Sequence, residues 1–120
     1  MKQKPHHPVN LLDLGTYKKD VEERFETLLS GPQCRLEKII SEGHRTPPGV
    51  WLEQEAAEWV LILEGEAVLE FEHEEALYPL GKGDSLLIPS RCRHRVLSTA
   101  PDRPTLWLAL HLDPEGITSP

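Results

Sequence analysis

A chain of 120 residues with 38% hydrophobic and 28% charged residues has material for one core and no second lobe. Its formal net charge of −7, with no run of Lys and Arg, repels phosphate backbones and excludes nucleic acid as a natural partner. The longest apolar runs, such as 59–63, are far too short to span a bilayer, so no membrane partner is expected.

Residues 1–10 carry Pro5, Pro8 and the adjacent His6 and His7, and read as an irregular arm. No apolar segment follows the basic start, so a secretory signal is not expected and a cytoplasmic location is. Residues 16–29 predict a helix. Thr16 is its N-cap, and Val21, Phe25, Leu28 and Leu29 recur at three- and four-residue intervals on one face. Ser30-Gly31-Pro32 stops it, with Gly and Pro where helix C-termini place them. From Gln33 the apolar period changes to two. Strands are expected over 34–41, 50–54, 58–63, 67–72, 85–88, 93–98 and 105–112, with Gly and Pro at the corners between them. The 58–63 strand is apolar on both faces and so buried on both, whereas 67–72 alternates with Glu70 and Glu72 and has one wet face. The expected organisation is an arm and helix over 1–32, a β-barrel over 33–113 and a tail over 114–120. Many short strands with such corners point to an all-β jelly roll.

Cys34 and Cys92 form no CxxC pair and read as two thiols of a cytosolic protein. No nucleophile elbow, phosphate loop or dinucleotide fingerprint is present. Two segments carry chemistry instead. One is Glu58-Trp59-Val60-Leu61-Ile62-Leu63-Glu64-Gly65, a carboxylate heading an apolar run that ends in Gly. The other runs from Gly83 through Pro89 to His94. Glu58 shares strand parity with Val60 and Ile62, which puts a carboxylate on an apolar face. That is costly unless it meets a metal ion or a guanidinium, for which Arg91, Arg93 and Arg95 are candidates. His94 shares parity with Val96 and is expected to point inward, either as a ligand or as a core histidine bonded to a carbonyl.

Read as Glu-x6-Gly and Gly-x5-Pro-x4-His, the two segments resemble the paired signature motifs of the cupin superfamily, over about 33–112. The resemblance implies a jelly-roll β-barrel whose two motifs supply one metal site, with Glu58 on the first motif's carboxylate and His94 on the second motif's histidine. The chain departs from the pattern where His-x-His would precede the Glu: Leu52 and Gln54, or Trp51 and Glu53, stand there. Arg91 replaces a usual Gly and Ser98 a usual Asn. The implied cofactor is one divalent ion, Zn, Fe(II) or Mn, held by His94, Glu58 and Gln54 with His111 or His44 completing the set. Glu58 is also the candidate catalytic base. Trp51, Trp107 and Arg45 are assigned to the wall of a substrate pocket. His111 shares parity with Trp107 and Ala109, and either that face or the Leu106, Leu108, Leu110 face looks inward. The implied function is metal-dependent oxygenation or isomerisation of a small organic molecule. A non-catalytic binding or sensor module and a metal-free structural cupin are the alternatives. Edge strands that must be covered point to a homodimer.

Overall fold

The computed structural model describes residues 4–5, 7–15, 22–115 and 117, and among these no helix forms. None is therefore long and apolar enough to cross a membrane. Eight strands make up the fold: β1 (Arg24–Gly31), β2 (Cys34–Ser41), β3 (Ala57–Glu64), β4 (Glu66–Phe71), β5 (Tyr78–Gly81), β6 (Ser85–Ile88), β7 (His94–Thr99) and β8 (Thr105–Leu112). They form a five-stranded sheet in the order β1-β2-β8-β3-β6 and a three-stranded sheet in the order β5-β4-β7. All pairs given are antiparallel. Neither sheet closes on itself, so the expected barrel is a pair of facing sheets among the described residues.

The helix expected over 16–29 is corrected. Thr16 and Val21 lie outside the described residues, but Arg24–Gly31 is a strand paired with β2, from Arg24 opposite Ile40 to Gly31 opposite Cys34. A bulge between Thr27 and Leu29 breaks the alternation, which leaves Phe25, Leu28 and Leu29 spaced as a helix would space them. Pairing with β2 decides the conformation, and local period does not. The strand expected over 50–54 shrinks to one bridge, Leu52 with His94.

The sheets meet over one core. Ile39, Val60, Ile62, Trp107 and Ala109 come from the larger sheet, Leu69, Phe71 and Leu80 from the smaller. The two-residue periodicity of β3 and β8 puts their inward residues in this core. The face of β8 carrying Trp107, Ala109 and His111 is therefore the inner one. Outside β2, Lys38 is buried because its ammonium donates to the carbonyl of Asp13. The chain crosses between sheets at Gly65, whose φ of +87° is open to glycine at little cost. Thr105 sits against this corner and its Oγ1 donates to the carbonyl of Glu66 at 3.1 Å.

Candidate functional site

Register alone assembles half of the site. On the larger sheet Arg35 lies opposite His111, His111 opposite Glu58, and Glu58 opposite Ile88. The odd residues of β2, Arg35, Glu37 and Ile39, share the inner face with them. From the smaller sheet comes His94, the first residue of β7, paired with Phe71. Between the sheets these side chains line a cavity of about 320 Å³, with Val60, Leu69, Ile88, Val96 and Trp107 as apolar wall.

Glu58 is the hub. Its Oε1 accepts a hydrogen bond from Gln54 Nε2 at 2.8 Å. His94 Nε2 stands 4.0 Å from the same oxygen, and His111 Nε2 stands 3.8 Å from Oε2. His111 is itself committed, since its Nε2–H donates to Glu37 Oε1 at 2.9 Å. His94 is oriented from behind: its Nδ1–H donates to the carbonyl of Cys92 at 2.8 Å. Its backbone exchanges two hydrogen bonds with Leu52, of 2.7 and 3.0 Å, which fix the segment carrying Gln54 beside the site. Glu58 avoids the arginines that sequence parity offered it. Arg91 pairs with Glu55, Arg93 with Glu53 and Glu72, and Arg95 with Glu70. The Gln54 amide offsets part of the cost of burying the Glu58 carboxylate, and the imidazoles at 4.0 and 3.8 Å stand beyond hydrogen-bond reach of it.

The cavity thus brings together Gln54, Glu58, His94, His111 and Trp107. His44, Trp51 and Arg45, also expected at the site, do not line this cavity. His44 turns back on its own loop, where its Nδ1 accepts from the Glu42 amide at 2.7 Å and its carbonyl accepts from Thr99 Oγ1 at 2.8 Å. Trp51 packs under the guanidinium of Arg95, 5.8 Å from the ring centre. Arg45 is exposed. Trp107 lines the cavity with its ring while Nε1 donates to Ser41 Oγ at 3.1 Å, and Ser41 in turn donates to Glu23. Glu37 and Arg35 were missed because a charged residue on an alternating strand reads as solvated. Their parity with Ile39 was the available signal.

A metal ion bound by imidazole and carboxylate needs each donor at about 2.0–2.2 Å from one point. Among the described residues no three His, Cys, Asp or Glu side chains are grouped so as to hold one. The donor types suit a transition metal, two imidazoles and a carboxylate, but as placed they do not converge. Cys92, packed beside the core, has its thiol pushed up by burial first and by the nearby Glu74 second. Outside the sheets a wider groove of about 940 Å³ runs past Cys34, Ser90 and Arg91, and Arg35 and His111 line it as well as the inner cavity.

Comparison with known proteins bears on the same region. The family model described as "Cupin domain" matches residues 39–111. A crystal structure from Ralstonia eutropha JMP134, provisionally assigned as a mannose-6-phosphate isomerase, is 38% identical, covering 91% of this chain and 99% of that one, with a TM-score of 0.85. A cupin superfamily protein of Desulfitobacterium hafniense DCB-2 is 18% identical over 90% of this chain and 93% of its own, with a TM-score of 0.71. A DMSP lyase of Ruegeria pomeroyi DSS-3 is 21% identical over 86% of this chain and 54% of its own, with a TM-score of 0.65. These last two share the fold. No curated protein matches in sequence.

Proposed function

The chain belongs to the cupin family, and from that premise we propose that it binds a small organic molecule between its sheets and moves a proton on it, with Glu58 as the acid–base group. One observation carries this reading: the Glu58 carboxylate, 13% exposed, faces a ligand-sized cavity with imidazoles 4.0 and 3.8 Å from its two oxygens. Removed from water, a carboxylate so placed is a base with neighbours able to take up or return the proton. Glu37 takes the Nε2–H of His111 and fixes that ring, which leaves Glu58 Oε2 to the ligand.

The 38% identical relative supports isomerisation, which an acid–base group carries out by moving a proton from one carbon to the next, as the reaction class. Its phosphosugar does not fit as well. The cavity sets Glu23, Glu37, Glu53 and Glu58 against the single guanidinium of Arg35, whose Nε already lies 4.0 Å from Glu37. A phosphate would meet repulsion there. The test is isothermal titration with a panel of small carbonyl, hydroxyl and amino compounds, followed by the same titrations on Glu58→Gln. A ligand that uses the carboxylate loses roughly 10- to 150-fold in affinity, the range for a hydrogen bond to a charged group. Equal affinity for both proteins defeats the reading.

The two imidazoles beside one carboxylate favour a second reading, a divalent ion (Zn, Fe(II) or Mn) held by Glu58, His94 and His111 with Gln54. It requires His111 to leave Glu37 and both rings to close on Glu58. Loading the protein with each ion and comparing His94→Ala with wild type tests it, and unchanged binding in the variant rejects it. We read the chain further as a homodimer, on the strength of β1, an edge strand that exposes Phe25 and Leu29.

A further inference from the structure

Two atoms that face the cavity, His94 Nε2 and Glu58 Oε2, meet no donor among the described residues. His94 Nδ1 is bonded to a carbonyl, which only accepts, so Nδ1 carries a proton, and Nε2 presents a lone pair wherever the ring holds one proton only. The side chain is 5% exposed, it lines the cavity, and Nε2 makes no hydrogen bond among the described residues. Glu58 Oε2 is in the same condition, because the nearest N–H, that of His111, is 3.8 Å away and donated to Glu37. Oε1 receives Gln54 and keeps accepting capacity beyond it. Two acceptors, one of them anionic, therefore stand 4.0 Å apart on a buried wall.

Resting on the reading of this cavity as the ligand site, we infer that its ligand is a primary amine, bound as the ammonium, on a compact apolar skeleton. A nitrogen about 2.85 Å from each acceptor subtends an angle of about 90° across their 4.0 Å separation. Two N–H bonds of an ammonium, roughly 109° apart, reach both with bends well inside the tolerated range. A hydroxyl has a single hydrogen and leaves one acceptor facing its own lone pairs. A carboxylate or phosphate brings only acceptors. The charge agrees, since four carboxylates line the cavity against one guanidinium. Val60, Leu69, Ile88 and Val96 give the rest of the ligand hydrocarbon contact. The third N–H of the ammonium is left to bond Glu58 Oε2 or Glu37.

The test uses four probes on one ring: cyclohexylamine, N,N-dimethylcyclohexylamine, cyclohexanol and cyclohexanecarboxylate, with zinc chloride alone as a fifth. Each is titrated at pH 7 into the full chain carrying 15N-labelled histidine, and the ring signals of His94 and His111 are followed. Cyclohexylamine is expected to shift His94 saturably and to bind about tenfold tighter, or more, than the alcohol or the dimethylated amine, which has the same charge but one N–H. The carboxylate is expected not to saturate. Glu58→Gln, checked for folding by its own spectrum, is expected to abolish the preference. Equal binding of the dimethylated amine or of the alcohol overturns the amine assignment while leaving the cavity a ligand site. Zinc shifting His94 where cyclohexylamine does not also overturns it, in favour of a metal. If no probe moves His94 or His111, this inference and the proposed function fall together.

Discussion

Replacing Gly65 with Ala isolates the closest approach in the fold. A Cβ built at this position lies 2.5 Å from Thr105 Oγ1, 2.7 Å from Thr105 Cα and 2.9 Å from the carbonyl oxygen of Pro104. Two of these three are backbone atoms, so the corner between β3 and β4 has to move. Three costs follow. An L-residue held at a φ of +87° loses about 1–2 kcal/mol. Overpacking against backbone costs about 1–3 kcal/mol. Moving Thr105 weakens its bonds to the amide of Glu66, 3.3 Å, and to its carbonyl, 3.1 Å, at about 1 kcal/mol. Together Gly65→Ala is expected to lose about 3–6 kcal/mol, a large part of the stability of a small domain. Gly83→Ala is the control: φ is +88° and nothing lies within 4 Å of the added Cβ. Only the conformational cost applies there, about 1–2 kcal/mol less a few tenths regained from the unfolded chain. Urea unfolding of both variants measures the difference, expected at about 2–4 kcal/mol. If the two variants lie within about 0.5 kcal/mol of each other, the corner is not closely packed and the reasoning fails.

Ile62→Ala, at a fully buried site, is expected to cost about 2–5 kcal/mol by urea unfolding, and a loss below 1 kcal/mol would show that the core collapses around the cavity. Burial, then Glu74, pushes the Cys92 thiol up, so at pH 8 it should react with iodoacetamide more slowly than free cysteine. The unfolded chain gives up that proton first, so this group's contribution to stability is complete at neutral pH and falls as pH rises past the ordinary thiol range. Phe25, 59% exposed, and Leu29, 56% exposed, are expected to lie in the dimer contact. Phe25→Lys with Leu29→Lys should then sediment as a 13.6 kDa monomer where wild type does not. A monomeric wild type refutes the dimer.

Motif spacing made Glu58 and His94 legible, because a turn-bounded strand holds its residues in phase from end to end. The choice between His44 and His111 was not, since parity names a strand's two faces without saying which is inner. That is set by the partner strand, through the register of His111 opposite Glu58. Glu37 was hidden for the same reason: on β2 Arg35 and Glu37 face the cavity, while Lys38 faces the other side and bonds the carbonyl of Asp13. The helix misreading at Phe25 to Leu29 came from a bulge, which inserts a residue and imitates helical spacing. Trp51 and Arg45 precede Gln54 in sequence but neither lines the cavity, since Trp51 lies against Arg95 and Arg45 is exposed, placements that no periodicity encodes outside regular structure.

The division of the site between sheets has a consequence for the order in which the protein fails. Glu37, Glu58 and His111 belong to one ladder and stay in register as long as that sheet survives. His94 belongs to the other sheet and is clipped to Leu52 of the intervening loop. Any loosening of the two layers withdraws His94 before a single ladder bond is broken. Warming should therefore move the ring signals of His94 ahead of the far-ultraviolet signal, so that His94 marks the seam between the layers and strand content does not.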